Sequence, residues 1–397
     1  MSDSYTEYSH QGFGSRVGNS IKGVLFGIVL FFGSFAMLAW NEGRAVKQIR
    51  TLEEGRKLVV NIDASTQSSH TDGMLVFASG KATTDDVLED QVFPVKANAL
   101  KLRRAVKMYQ WEEDKDTSES SNGSKKTTYS YGKVWSEKLI RSDNFHVASG
   151  HQNPSSMPFY SEELAADKVL VGVHRLSSGL LAQIKQYTHL GLNGTQVSNA
   201  PRAPNGSASA HDGGLYYGKN PSSPDIGDIT VRFEVVNPLD VSLVAQQLGD
   251  TFQPYQTKAG NTIELLETGL HDATYVFEAA LSRNAVLTWA LRFGGWLMMF
   301  FGLLLVMGPL TTIAGAVPFF GSLVGLGVGL TAFVLASVLS MLTVAVAWIF
   351  VRPLAGGLLL VVALACLWGM KNKGAKKIEA RGGMPMPPPP PPGQAAA

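Results

Sequence analysis

The sequence predicts a multi-pass α-helical membrane protein, with one span near the N-terminus, three near the C-terminus, and a large β-rich α+β extramembrane domain between them. Three observations predict it. Four uncharged apolar stretches are each long enough to cross a hydrocarbon core of roughly 30 Å, which takes about 17 to 25 helical residues. The polar interval after the first of them alternates apolar and polar residues, the period of half-buried strands. The single cysteine of the 397 residues, Cys366, falls inside the last stretch, so the domain has no disulfide and depends on its core.

The first stretch runs from Val24 to Trp40 and is followed by Asn41 and Glu42. A secretory signal would end in a small-residue cleavage site, so this reads as an uncleaved anchor. The other stretches run from Phe293 to Leu310, Leu323 to Phe350 and Leu354 to Met370. Pro309, Pro318 and Pro353 fall in the breaks, where freed backbone groups can reach the membrane interface. The expected organisation is an N-terminal segment 1–22, a span 23–40, a domain 41–282, three spans within 283–370 (about 293–310, 323–350 and 354–370) and a tail 371–397.

Four crossings place both termini on one side. The tail carries Lys371, Lys373, Lys376, Lys377 and Arg381, while "WNEGRAVKQIR" places Arg44, Lys47 and Arg50 at the foot of the domain. Cationic bias orients short loops and tails, whereas long domains translocate largely regardless of charge. The termini therefore read as cytoplasmic and the domain as exported.

Within the domain, "KLVVNI", "MLVFASGKA", "LKLRRAVKMYQW", "TTYSYGKVW", "KVLVGVHRL", "DITVRFEVV", "VSLVAQQL" and "NTIELLE" read as strands. Tyr109 shares a strand face with Trp111, and Tyr129 and Tyr131 share one with Trp135, so a hairpin held by aromatic side chains in the sheet core is expected. Its loop, "EEDKDTSESSNGSKK", is polar and reads as a long mobile tip. Two helical stretches interrupt the strands. "SSGLLAQIKQY" can be capped by Ser177 or Ser178, and "HDATYVFEAALSRNAVLTWALRF" runs without a breaker into the second span.

A net charge of +2, with no sustained basic face, argues against a nucleic-acid partner. The eight histidines are scattered without metal-ligand spacing, so neither metal nor cofactor is expected. His174 precedes Ser177 and Ser178, but no nucleophile elbow surrounds either serine, and both read as polar surface or helix cap. No catalytic residue is assigned. "WEED" and "VLED" read as solvated strand ends, and the "NGS" and "NGT" triplets at Asn122, Asn193 and Asn205 as loops. The span cores hold no charge of the kind proton relays and ion pathways use.

Glycines are the candidate helix-packing residues. Gly321, Gly325 and Gly329 recur every four residues and share one side of the third span, and Gly23 and Gly27 repeat that spacing in the first. Such faces let backbones approach closely, within one chain or between copies.

Taken in order, "LKLRRAVKMYQWEED", "YSYGKVWSEKLI", "GHQNPSSM", "KNPSSPDIGDITVRF", "QPYQTKAGNTIELL", "RNAVLTWALRFGGWLMMF" and "MLTVAVAWIFVRPL" resemble the transmembrane protein 43 family, also called LUMA. The resemblance covers nearly the whole chain and the same layout of one plus three spans. It implies a domain facing the lumen of the endoplasmic reticulum or the perinuclear space in animals, and the periplasm in a bacterial member, with both termini on the cytoplasmic side. It also implies self-association and, in animals, organisation of the inner nuclear membrane through lamins and emerin. The tail "GGMPMPPPPPPGQAAA" departs from the animal pattern and reads as a spacer or a polyproline ligand. The function expected is a non-enzymatic membrane scaffold whose partners are lipids, other membrane proteins and further copies of itself. An envelope hydrolase and a pore or transporter are the competing classes: a pocket of convergent His, Ser and acidic groups would favour the first, a continuous polar cavity through the helices the second.

Overall fold

The computed structural model describes residues 3–10, 13–119, 124–310 and 320–351, together with residue 361. Two compact units emerge. One takes in residues 45–287 with 1–23 and 308–325, and the other residues 24–44, 288–307 and the chain from 326 onward.

Three long helices follow from runs without proline. They are α1 (Phe13–Leu58), α3 (Ala273–Val306) and α4 (Phe320–Val351), and a short α2 (Ser178–Gln183) lies between the first two. Asp272 opens α3 by accepting the Tyr275 N–H at 2.7 Å. Helical stretches at Ile21–Leu58, Ala273–Val306 and Gly325–Ile349 are long and apolar enough to cross a membrane. The fourth expected span, 354–370, lies outside the described residues apart from Val361, as does the tail 371–397.

The strands of the first unit form two main sheets. Long members of the first are β1 (Asp3–His10), β3 (Lys101–Glu119), β4 (Ser124–Ser136) and β7 (Ile229–Val236), with β5 (Glu162–Ala165) and β6 (Gly214–Tyr217) beside them; β2 (Leu75–Thr83), β8 (Leu239–Leu248) and β9 (Leu265–Thr268) belong to the second. The first sheet has eight strands running β1-β4-β3-β7-β6, then Ser209–His211, with β5 against β3 and Thr188–Leu190 against β7. The second sheet centres on β8, which pairs antiparallel with β2 on one side and with β9 and Thr251–Gln253 on the other. Only Asn237 and Pro238 separate β7 from β8, so the chain passes directly between sheets.

Apolar alternation sets the cores. Leu102, Val106 and Met108 of β3 face Val231, Phe233 and Val235 of β7 in one cluster, and Val76, Ala78, Leu243 and Ala245 build another around α2. A third joins Leu52 of α1 and Val276, Phe277 and Ala280 of α3 to Leu75, Phe77 and Val244. The domain ends of both helices are thus core elements of the domain.

Several expectations need correction. "KLVVNI" is mostly not strand: α1 continues to Leu58, because Leu52 is drawn into the third cluster, and only Val60–Asn61 is extended. "KVLVGVHRL" is two short strands joined at Gly172, whose φ is +62°; a Cβ there would lie 1.9 Å from the Ala64 carbonyl oxygen, so only glycine fits. The hairpin loop is far shorter than expected, since β3 runs to Glu119 and β4 starts at Ser124; residues 120–123 lie outside the description. The aromatic face of the hairpin is core only in part: Tyr129 and Tyr131 are buried, whereas Tyr109, Trp111 and Trp135 are half-buried. Tyr109 pairs with Trp135 and Glu113 with Tyr131, on the side opposite Leu102, Val106 and Met108. That side is covered by the segment after β4, where the His146 ring stacks on Tyr129 at 4.1 Å and the His151 ring on Tyr131 at 3.9 Å.

Residues 3–10, expected as part of a tail, form a strand of this sheet. β1 pairs with β4 over eight residues, from Asp3 opposite Tyr131 to His10 opposite Ser124. The His151 Nε2 lies 2.8 Å from the Asp3 carboxylate.

Candidate helix-packing site

The second unit gathers α1, α3 and α4 through residues 24–44, 288–307 and 326 onward. Contacts run in opposite sequence directions along α1 and α3: Gly27 meets Gly302 and Leu305, Leu38 meets Gly295, and Asn41 meets Thr288. The two helices are therefore antiparallel. An apolar cluster of the three helices holds Leu38 of α1, Met299 of α3 and Ala336 of α4 fully buried, with Phe31, Phe35, Trp296 and Phe300 around them.

Close approach depends on glycine at three points. A Cβ on Gly27 would lie 2.7 Å from the Leu305 Cβ and 2.8 Å from the Gly302 oxygen, and one on Gly302 would lie 2.8 Å from the Phe31 nitrogen. One on Gly295 would meet the Leu38 side chain at 2.6 Å. Backbones in lipid pack by fit, with no hydrophobic drive between helices, so these gaps set the separation.

Where the apolar run of α1 ends, a polar cluster begins. Glu42 is 1% exposed. Arg292 of α3 donates from Nε to Oε1 at 2.7 Å and from Nη2 to Oε2 at 2.8 Å, and Trp348 of α4 donates its indole N–H to Oε2 at 2.5 Å. One carboxylate thus ties three helices. The guanidinium lies 4.8 Å from the Trp289 ring centroid and 5.6 Å from that of Trp348, so both its edges and its faces are occupied. Beside it, Asn41 Nδ2 donates to the Thr288 carbonyl at 3.1 Å, and Arg44 donates to Asn41 Oδ1 at 3.2 Å and to Thr288 Oγ1 at 3.0 Å. A bidentate pair with a third donor satisfies the charge that burial would otherwise penalise by several kcal/mol.

The glycines singled out from the sequence separate in space. Gly27 lies in the α1–α3 contact, and Gly23 is half-buried in α1. Among the described residues, no atom lies within 4 Å of a Cβ added to Gly325 or Gly329 of α4; the side-chain surroundings of Gly321 lie outside the described residues. The sequence reading did not single out Gly295, Gly302, Glu42 or Arg292. The signals were present: Gly295 and Gly302 are two helical turns apart, and Glu42 and Arg292 are opposite charges flanking spans that run in opposite directions.

The serines considered for hydrolysis are otherwise engaged or exposed. Ser177 caps α2 by accepting the Leu180 N–H at 3.1 Å and donates its own proton to Glu264. Among the described residues no three His, Cys, Asp or Glu side chains gather as a metal site would require.

Comparison with known proteins places this arrangement. The chain matches the family described as Transmembrane protein 43 over residues 108–353. It is 35% identical to human Transmembrane protein 43 over 386 residues, covering 94% of this chain and 95% of the relative. It belongs to the transmembrane protein 43 family. The mouse protein is similar at 35% identity, covering 94% of this chain and 96% of its own. The fruit-fly homolog, from Drosophila melanogaster, is 30% identical over 88% of this chain and 94% of its own. No solved structure matches. Family membership and three crossing-length apolar helices make this an integral membrane protein with a β-rich region between its helices.

Proposed function

We propose that the chain is a non-enzymatic scaffold that organises membrane protein complexes through its exported domain and its helix faces. Its partners are membrane lipids, other membrane proteins and further copies of itself. The domain faces the periplasm from a bacterial inner membrane, or the lumen of the endoplasmic reticulum and inner nuclear membrane in a eukaryotic cell.

The observation that carries this reading is the open glycine side of α4. Gly27 already has a partner backbone at Gly302, whereas among the described residues nothing lies within 4 Å of a Cβ added to Gly325 or Gly329, in a helix built mostly of apolar residues. A small-residue face left open by the described residues suits close contact with a second helix.

The test is Gly325→Leu in the full-length protein, purified in detergent and sized by light scattering. We expect a smaller oligomer with an unchanged domain melting temperature. Gly27→Leu, which drives a side chain into Leu305, should instead lower stability before it alters assembly. An oligomer of parental size and stability in Gly325→Leu would remove the support for self-association through this face.

A further inference from the structure

The first residue of β3 is a lysine placed where a lysine is costly. The Lys101 side chain is 5% exposed. Its ammonium donates to the Ile184 carbonyl oxygen at 3.0 Å and stands 3.7 Å from the Glu163 carboxylate. An ammonium has three N–H donors; Ile184 takes one and Glu163 draws a second, which leaves one to place. Burial, opposed by Glu163 and aided by Lys185, holds its pKa below the ordinary lysine value.

Lys101 borders a cavity of about 340 Å³ between β3, β5, α2 and the segment leading to α2. Its floor is apolar, from Val169, Leu176 and Leu181 of the core cluster around α2. Its charged lining is balanced: Lys101 and Arg175 against Glu163 and Asp167. Arg175 is oriented by donating to the Asp167 carbonyl at 2.6 Å, and exposed Ser178 borders the cavity as well.

Size and charge restrict the occupant. Small-molecule pockets span roughly 300 to 1,000 Å³, so this one, at the lower end, suits a metabolite of a few heavy atoms rather than a nucleotide or a membrane lipid. A simple carboxylate would satisfy the two cations and crowd the two acids, and a simple amine would do the reverse. We propose that this cavity binds a small zwitterion with an apolar body, of the class of the free apolar α-amino acids, its carboxylate on Lys101 and Arg175, its ammonium toward Glu163 and Asp167, and its side chain on the Val169–Leu176–Leu181 floor. The site lies entirely within the domain and is independent of the scaffold reading.

Full-length protein in detergent is titrated with L-leucine by calorimetry and by thermal shift. L-leucinamide, which lacks the carboxylate, and 4-methylpentanoate, which lacks the amine, are run in parallel. Saturable leucine binding is expected, with each analogue about tenfold weaker or worse. Lys101→Met should lose binding. Because that change also removes the bond to Ile184, Ser178→Leu, at an exposed position of the cavity wall, serves as the second variant and should lose binding with the melting temperature unchanged. The proposal is overturned if leucine neither binds nor shifts melting up to about 10 mM. Equal binding of either analogue, or parental affinity in both variants, overturns it too.

Discussion

At the scale of single residues, Glu42 shows how a buried charge constrains its neighbours. Removing one partner of such a pair leaves the other uncompensated, typically at a cost of about 3 to 5 kcal/mol, while replacing both by apolar groups can be nearly neutral. Glu42→Leu should therefore destabilise the bundle by roughly that amount, and Glu42→Leu with Arg292→Met should recover most of it. Thermal unfolding in detergent decides this, and a double variant no better than the single would show that the charges themselves are required. In the domain, Tyr217 donates its hydroxyl to the Pro201 carbonyl at 2.9 Å, and burial pushes its pKa up to about 12. Burial raises Tyr216 as well, helped by Asp228. An unfolded tyrosine ionises near pH 10. The folded pKa is the higher one, so this contribution is complete below about pH 10 and is lost as the pH climbs through about 12. The denaturation midpoint should fall between about pH 10 and 12, less steeply in Tyr217→Phe; parallel curves would exclude Tyr217 as a source.

At the scale of elements, periodicity identifies strands more surely than the face each buries. The alternation in Lys101 to Trp111 is plain in the sequence, but it offers two candidate faces, one with Leu102, Val106 and Met108 and one with Tyr109 and Trp111. The structure gives the main core to the first because β7 supplies Val231, Phe233 and Val235 opposite it. The second is covered by the later segment with His146 and His151. Trp111 is accordingly half-buried, edge-on to His151 at 4.8 Å and beneath the Lys133 ammonium at 4.7 Å. Trp111→Ala should thus cost about 2 kcal/mol, below the 3 to 5 typical of a core tryptophan. A loss at the core value, read from denaturant unfolding, would mean that the covering segment seals this face completely. Helices were legible for a different reason: runs free of proline and charge have few alternatives, whereas pairing of Gly27 with Gly302 depends on which helices meet, which no single segment encodes.

At the scale of the whole molecule, the N-terminal strand and the first span make opposite demands. Pairing of β1 with β4 puts Ser4 beside Ser130. A single crossing by α1 would put them on opposite sides of the membrane. The crossing is the stronger demand, because about 17 uncharged residues gain from lipid along their length, while an edge strand gains a fraction of a kcal/mol per cross-strand pair. Reporter fusions should read cytoplasmic at Ser4 and Ala396 and non-cytoplasmic at Ser121, with β1 undocked in the inserted protein. A non-cytoplasmic signal at Ser4 would mean that the docked strand holds the N-terminus on the domain side. The three long apolar helices and the β-rich region between them were legible because lipid and water select opposite compositions. The β1 pairing was not, because a polar edge strand has no apolar face to reveal it.

The pairing of β3 with β7 also sets a clock for biosynthesis. Lys101 is opposite Val236, so β3 emerges about 130 residues before its partner, a wait on the order of ten seconds at typical rates of about 5 to 20 residues per second. Through that interval the edge of β3 that β7 will cover is open to any other extended chain, including β3 of a neighbouring nascent copy. Lys101, Arg103, Arg104 and Lys107 give that strand a single sign of charge where the pairing will form. Two such strands repel each other until β7, carrying Glu234 opposite Arg103, arrives to take the edge.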